Sequence, residues 1–458
     1  MMGYSFDRGE PHIAPDQPTG VRWRALGRGS PRRNIVRGMS ERREGAIESV
    51  GEGVAIPCCH DSSAFFIATP SKVAVTQALS PNSDRDSPLV SRGFMSKRAG
   101  THRMTDDRLR MTPGPTEVPA AVRERMSEPT PNPDVEPEFF EFYRNLTAKL
   151  EAIYGDDDIA ILGGEGILGL EAAVASLVEP GDRVLCIANG LYGEGFADFV
   201  EMADGEAVVC DAPWDEPLDL DRVEAHLEEG PFDVATMVHC ETPTGVLNDI
   251  EPVLEVLDER DVISVVDAVS SLGGVSVPTE RIDVCLGASQ KCFSAPPGLT
   301  VCSVSDRAWA KIESFETASL YTDLEPWRDA ADEEWFPYTH LAANLYGLET
   351  AIDLLLEEGL ETVFERHEAA ARRCRERADD LGLSLYPAPA RSSPTVTALE
   401  VDGRAQALQE TLAAEHDIVL ATGLGDLADD ILRIGHMGHN ARLERIDRTM
   451  DALEAVLE

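Results

Sequence analysis

The sequence predicts an α/β fold: a large domain on a mainly parallel sheet, followed by a smaller α+β domain. Three observations carry that expectation. From about residue 150 onward, short apolar runs alternate with amphipathic stretches, as strands alternate with helices. The runs are continuously apolar, which suits strands covered on both faces. Beyond Leu341 the pattern changes to a long helical stretch, a strand-like run and a final helix.

Taken in order, the strands fall at Ile159–Leu162, Arg183–Ile187, Ala207–Cys210, Val234–Val238, Val262–Val266 and Val284–Leu286. Helices fill the gaps, among them Leu168–Val178, Leu220–Leu227 and a segment opening at Glu251, whose Pro252 suits a first helical turn. The chain then reads helical from Leu341 to about Leu381 and extended over Thr395–Val401. Leu443, Ile446, Met450, Leu453 and Leu457 recur at helical spacing. These apolar positions are core faces.

The 458 residues suffice for two or three domains. Charge marks the first boundary. Residues 1–103 carry 15 Lys and Arg against 10 acids, whereas the remaining residues carry 25 against 73. The front segment is loop-like, without sustained periodicity, and lacks the apolar core of a targeting peptide. It is expected to be a disordered or non-native extension, with translation beginning near Met104. The domains expected are therefore 1–103, 104–355 and 356–458.

A net charge of −43 repels phosphate backbones and anionic lipid, so neither nucleic acid nor membrane is an expected partner. Such an excess of acid reads as adaptation to concentrated salt, where counterions screen self-repulsion. The nine cysteines form no paired CxxC motif, so no metal site or disulfide framework is expected and a reducing cytoplasm fits.

Four segments carry chemistry. Gly163-Gly-Glu-Gly-Ile-Leu-Gly-Leu170 follows a strand and opens a helix, where backbone N–H groups make an anion site. Its Gly164, Gly166 and Gly169, with Asp182 beyond, also satisfy a dinucleotide fingerprint, and a plain tight turn is the other alternative. Asp267 ends an apolar strand, where a carboxylate needs a cationic or hydrogen-bonding partner; a turn or helix cap would also account for it. Lys291 stands among small uncharged residues before Pro296-Pro-Gly298. A desolvated lysine loses its proton readily and attacks carbonyls, although most lysines are simply solvated. Its spacing of one strand unit from Asp267 makes the pair more telling than either residue. Arg433, inside Leu432-Arg-Ile-Gly435, calls for an anion, either a substrate carboxylate or an internal acid.

Thr112-Pro-Gly-Pro-Thr116, Gly190-Leu-Tyr-Gly193, His239-Cys-Glu-Thr-Pro-Thr-Gly-Val-Leu247, Asp267-Ala-Val-Ser-Ser-Leu-Gly-Gly274, Gly287 to Gly298 and Arg433-Ile-Gly435 occur in the order found in class V aminotransferases. From Met111 to Glu458 the chain resembles their alanine–glyoxylate and serine–pyruvate branch. The resemblance implies a fold-type I frame with a seven-stranded, mainly parallel sheet, and pyridoxal 5'-phosphate as cofactor. It implies that Lys291 holds the cofactor through its side-chain amine and later moves the Cα proton, while Asp267 pairs with the ring nitrogen. Thr242 would contact the phenolic oxygen, and Tyr192 would stack on the ring. Glu165, Gly166, Ile167 and Gln290 would lie by the phosphate, which Thr339 would reach from a neighbouring subunit, implying a homodimer. Arg433 and Gly114 would bind substrate.

Relatives carry Ser and His where this chain has Glu165 and Ile167, and Trp where it has Tyr192. A His-Arg pair is replaced by Pro131-Asn-Pro-Asp134. The expected reaction is transfer of an amino group from a small amino acid (alanine, serine or aspartate type) to a small 2-oxo acid such as glyoxylate or pyruvate. The alternatives are a class V lyase or desulfurase using Cys374, an NAD-binding dehydrogenase, and a non-catalytic relative.

Overall fold

The computed structural model describes residues 108–155 and 158–458. The front segment and the start at Met104 lie outside them.

A short strand β1 (Leu109–Arg110) leads through helices α1 (Ala120–Arg125) and α2 (Pro137–Tyr154) into the central sheet. Its strands are β2 (Asp158–Gly163), β3 (Arg183–Ala188), β4 (Glu206–Asp211), β5 (Val234–Val238), β8 (Ile263–Asp267), β9 (Val284–Ala288) and β10 (Leu299–Val304). Between β5 and β8 a small ribbon pairs β6 (Cys240–Glu241) with β7 (Val246–Leu247). The sheet runs β2-β10-β9-β8-β5-β3-β4. Only β10 opposes its neighbours; the other pairs are parallel.

Helices α3 (Gly166–Leu177), α4 (Leu191–Met202), α5 (Leu220–Glu228), α6 (Glu251–Asp258) and α7 (Asp306–Ile312) follow β2, β3, β4, β7 and β10 in turn. The strands β5, β8 and β9 are buried at every position, which is why they read as unbroken apolar runs.

The six strands expected from the sequence are present, and β10 joins them. Its Thr300 and Ser303 break the apolar run, yet both are buried. The Thr300 hydroxyl donates to the carbonyl of Glu165 at 2.8 Å, so an internal partner satisfies what looks like a loop residue. The helical stretch expected from Leu341 to about Leu381 is made of two helices, α8 (Ala342–Glu358) and α9 (Leu360–Asp380). Gly359, at φ 86°, breaks it, a conformation glycine adopts without steric cost.

The C-terminal part sets strand β11 (Val396–Glu400), helix α10 (Ala405–Glu415), strands β12 (Ile418–Val419), β13 (Ala421–Thr422) and β14 (Ile431–Gly435), and helix α11 (Leu443–Leu457) around a three-stranded antiparallel sheet β11-β14-β13. Strand β1 pairs in parallel with β12. One apolar cluster runs through the central sheet from Val122 to Val363. A second holds Leu109, Met111, Cys374, Leu399, Leu432 and Met450. Among the described residues no helix is long and apolar enough to cross a membrane.

The parallel strands end at one edge, where open α/β sheets bind ligands. Asp267 ends β8, Lys291 follows β9, Glu165 follows β2, Tyr192 follows β3, and Glu241 and Thr242 follow β5.

Candidate active site

Lys291 lies in the turn between β9 and β10. That turn is tied by Ser294 N to the carbonyl of Lys291 (2.9 Å), Ala295 N to that of Ser289 (2.9 Å) and Ser289 Oγ to that of Pro296 (2.6 Å). Ser294 adopts φ 59°. Its hydroxyl oxygen accepts from Thr116 Oγ1 at 3.3 Å and His439 N at 2.8 Å, contacts that offset the strain of this conformation. The Lys291 amine donates to Pro113 O at 2.9 Å. Burial lowers its pKa to about 8; Arg433 pushes it further down and Asp267 pulls it up.

Asp267 is buried, and its Oδ1 accepts from Val269 N at 2.8 Å. Burial raises its pKa to about 6, against the pull of that N–H and of Lys291. Its other oxygen has no hydrogen-bond partner among the described residues.

Helix α3 begins at Gly166 with no side chain capping it, which leaves first-turn N–H groups open to an anion. A Cβ on Gly166 would lie 3.1 Å from Val269, so the glycine lets this turn approach the strand end carrying Asp267. Glu165 and Ile167 flank it, both exposed. Gln290 is buried, and its carbonyl accepts from Thr116 N at 3.0 Å. The dinucleotide alternative loses its acid: Asp182 precedes β3 and pairs with Lys311 at 2.7 Å.

Tyr192, in the first turn of α4, is half-buried, within electrostatic range of Arg433, Asp267, Glu241 and Glu165. Thr242 is buried, its hydroxyl bonded to Ser270. Arg433, central in β14, donates from Nε to Thr422 O at 2.7 Å and from one terminal nitrogen to Thr242 O at 3.1 Å. Among the described residues no carboxylate pairs with it, so the internal salt bridge is not found. Burial lowers its pKa to about 10, and a buried guanidinium without an acid calls for an anionic ligand.

Gly114, at φ 101°, presses on the lysine. A Cβ there would meet Lys291 Cδ at 2.5 Å and Nζ at 2.8 Å. Thr339 is exposed and donates to Asp134 Oδ2 at 2.9 Å. Cys374 is buried in α9 beside Met450, and burial raises its thiol to about 11, the opposite of a reactive cysteine.

Sequence reading missed Glu241. Fully buried, it accepts from Gly193 N at 2.7 Å and Tyr192 N at 3.4 Å. Burial raises its pKa to about 8, against those N–H bonds. The available signal was the pair of glycines around Tyr192: a Cβ on Gly190 would lie 2.4 Å from the Glu241 carboxyl carbon.

The residues fit pyridoxal phosphate. The edge offers an amine that is half free near pH 8, a carboxylate oxygen left over for a ring nitrogen, and an uncapped helix start for a phosphate.

The family model of class V aminotransferases matches residues 144–433. The chain is 35% identical over 319 residues to pyridoxamine–pyruvate transaminase of Mesorhizobium japonicum, covering 68% of this chain and 81% of that protein. It is 30% identical over 350 residues to L-aspartate–glyoxylate aminotransferase of Paracoccus denitrificans, covering 73% and 87%. The solved alanine–glyoxylate aminotransferase of Nostoc sp. superposes with a TM-score of 0.74 at 30% identity, covering 77% of this chain and 95% of that one. The lysine edge, the seven-stranded sheet and these matches agree, and the chain belongs to the class V aminotransferases, pyridoxal-phosphate enzymes of fold type I.

Proposed function

We propose that this aminotransferase moves an amino group from a small amino acid (alanine, serine or aspartate type) to a small 2-oxo acid such as glyoxylate or pyruvate. The observation that carries the reading is Arg433, buried, without a carboxylate partner among the described residues and electrostatically coupled to Lys291. A substrate carboxylate supplies its missing anion. The cofactor, when bound, takes up electrons released at Cα. Lys291 Nζ would hold it and move the Cα proton, and Asp267 would keep the ring nitrogen protonated. Tyr192 would cover the ring, Thr242 would face its phenolic oxygen, and Gly166 N–H groups with Gln290 would hold the phosphate. The buried Cys374 disfavours desulfurase chemistry. Alanine, serine and aspartate assayed in high salt against glyoxylate, pyruvate and 2-oxoglutarate test the reading. Glycine or alanine as product supports it; no product from any pair overturns it.

The working form is a cytoplasmic homodimer, with Thr339 of each subunit serving the other's phosphate. Exposed Leu320, Tyr321, Trp335 and Leu341 near Thr339 supply apolar surface for such an interface. Light scattering at the mass of one chain would contradict it. The working domains are 104–355 and 356–458, and the acidic surface is an adaptation to salt.

Glu165 and Ile167 favour a second reading, with pyridoxamine itself as amino donor and pyruvate as acceptor. Glu165 sets a carboxylate at the start of α3, where it repels a phosphate but not a hydroxymethyl group. Apoprotein that binds pyridoxal more tightly than its phosphate supports this second reading; the reverse preference excludes it.

A further inference from the structure

Glu241 has no part in the roles above, yet it is a fully buried carboxylate at the heart of the site. Its two oxygens accept the backbone N–H groups of Gly193 and Tyr192, two donors that the start of α4 cannot satisfy within the helix. The N-cap residue, Gly190, makes no side-chain cap bond, and a Cβ there would overlap the carboxyl group. The sequence therefore leaves room for a cap delivered from another element, β6. The next residue along, Thr242, turns the other way: its hydroxyl bonds Ser270, and its carbonyl accepts from Arg433. Two consecutive residues thus tie the turn bearing Tyr192 to the arginine.

We infer that Glu241 is a positioning residue, which fixes the height of Tyr192 above the cofactor ring by clamping the first turn of α4 in register with Arg433. The inference rests on the proposed stacking role of Tyr192. With the clamp gone, the turn keeps its sequence but loses two hydrogen bonds, and the ring of Tyr192 is no longer held at one height.

Two variants separate hydrogen bonding from bulk. Glu241→Met keeps length and volume but has no comparable acceptor; Glu241→Gln keeps one acceptor oxygen for Gly193. The first readout needs no cofactor: amide hydrogen exchange of the peptide spanning residues 188–196 in apoprotein. Exchange at Tyr192 and Gly193 is expected to rise about tenfold or more in Glu241→Met, as for a buried donor stripped of its partner, and exchange at Gly193 to return toward wild type in Glu241→Gln. The second is visible circular dichroism of the holoprotein, expected to weaken in Glu241→Met and not to weaken further when Tyr192→Ala is added. If Met and Gln behave alike, or the two losses simply add, the inference is overturned. Should Glu241→Met fail to fold, Gly190→Ala presses on the same carboxyl from the other side and is read in the same two ways. A visible band that survives Lys291→Ala would sink the site reading itself; an intact wild-type band with unaffected Glu241 variants sinks only this inference.

Discussion

The amine of Lys291 donates a hydrogen bond to the carbonyl oxygen of Pro113, 178 residues earlier in the chain, at 2.9 Å. The segment carrying Pro113 is itself strung between two elements. Gly435 N bonds the carbonyl of Met111 at 2.7 Å, and Thr116 N bonds that of Gln290 at 3.0 Å. The lysine, the N-terminal strap and β14 bearing Arg433 are thereby one assembly, so a change in any of them reaches the amine.

The first prediction concerns the protonation of that amine. Burial lowers its pKa from 10.5 to about 8, so reconstitution of apoprotein with pyridoxal phosphate accelerates through about pH 8, whereas a solvated lysine would respond above 10. Asp267 favours the ammonium and Arg433 opposes it. Asp267→Asn therefore moves the midpoint down, and Arg433→Ala moves it up. Stopped-flow rates across pH 6.5 to 10 check both signs. Because the folded-state pKa is the lower one, the unfolded chain holds the extra proton. The Lys291 contribution to apoprotein stability consequently rises with pH from about 8 toward 10.5.

Arg433→Ala is expected to weaken binding of the substrate carboxylate by about 2–4 kcal/mol, the loss of a charge-assisted pair in a buried setting. The effect belongs in KM for both amino acid and 2-oxo acid. Unchanged steady-state kinetics would remove Arg433 from the site.

Gly114→Ala tests the strap. The position has φ 101°, and a methyl group there would collide with the Lys291 side chain. The expected cost is about 1 kcal/mol or more of stability, together with slower cofactor reconstitution. A melting temperature and reconstitution rate equal to wild type would contradict the packing described here.

How much of this was legible beforehand varies with the kind of residue. Asp267 and Lys291 could be found because a charge ending or following an apolar strand is conspicuous, and their spacing matches one strand unit. Arg433 stood out for the same reason. Glu241 did not, because an acid in His239-Cys-Glu-Thr-Pro-Thr244 reads as an ordinary loop residue; the start of α4 packs against its carboxyl group. Strand β10 was hidden by Thr300, whose partner, the carbonyl of Glu165, lies 135 residues away. Nor did spacing connect Thr339 with Asp134, a contact made through packing.

The acid excess makes a prediction of its own. At −43 net charge, self-repulsion across the surface is strong in dilute buffer and is screened as the Debye length falls from about 10 Å at 0.1 M salt to about 3 Å at 1 M. Thermal unfolding monitored by circular dichroism should move to higher temperature as KCl is raised from 0.1 to 2 M. A flat or falling midpoint would refute salt adaptation.

The most direct test of the central claim is chemical. Holoprotein is reduced with borohydride, digested and mapped by mass spectrometry. A pyridoxyl group on the Lys291 side chain is the expected result. A peptide containing an unmodified Lys291, or the label on a different lysine, would contradict the account.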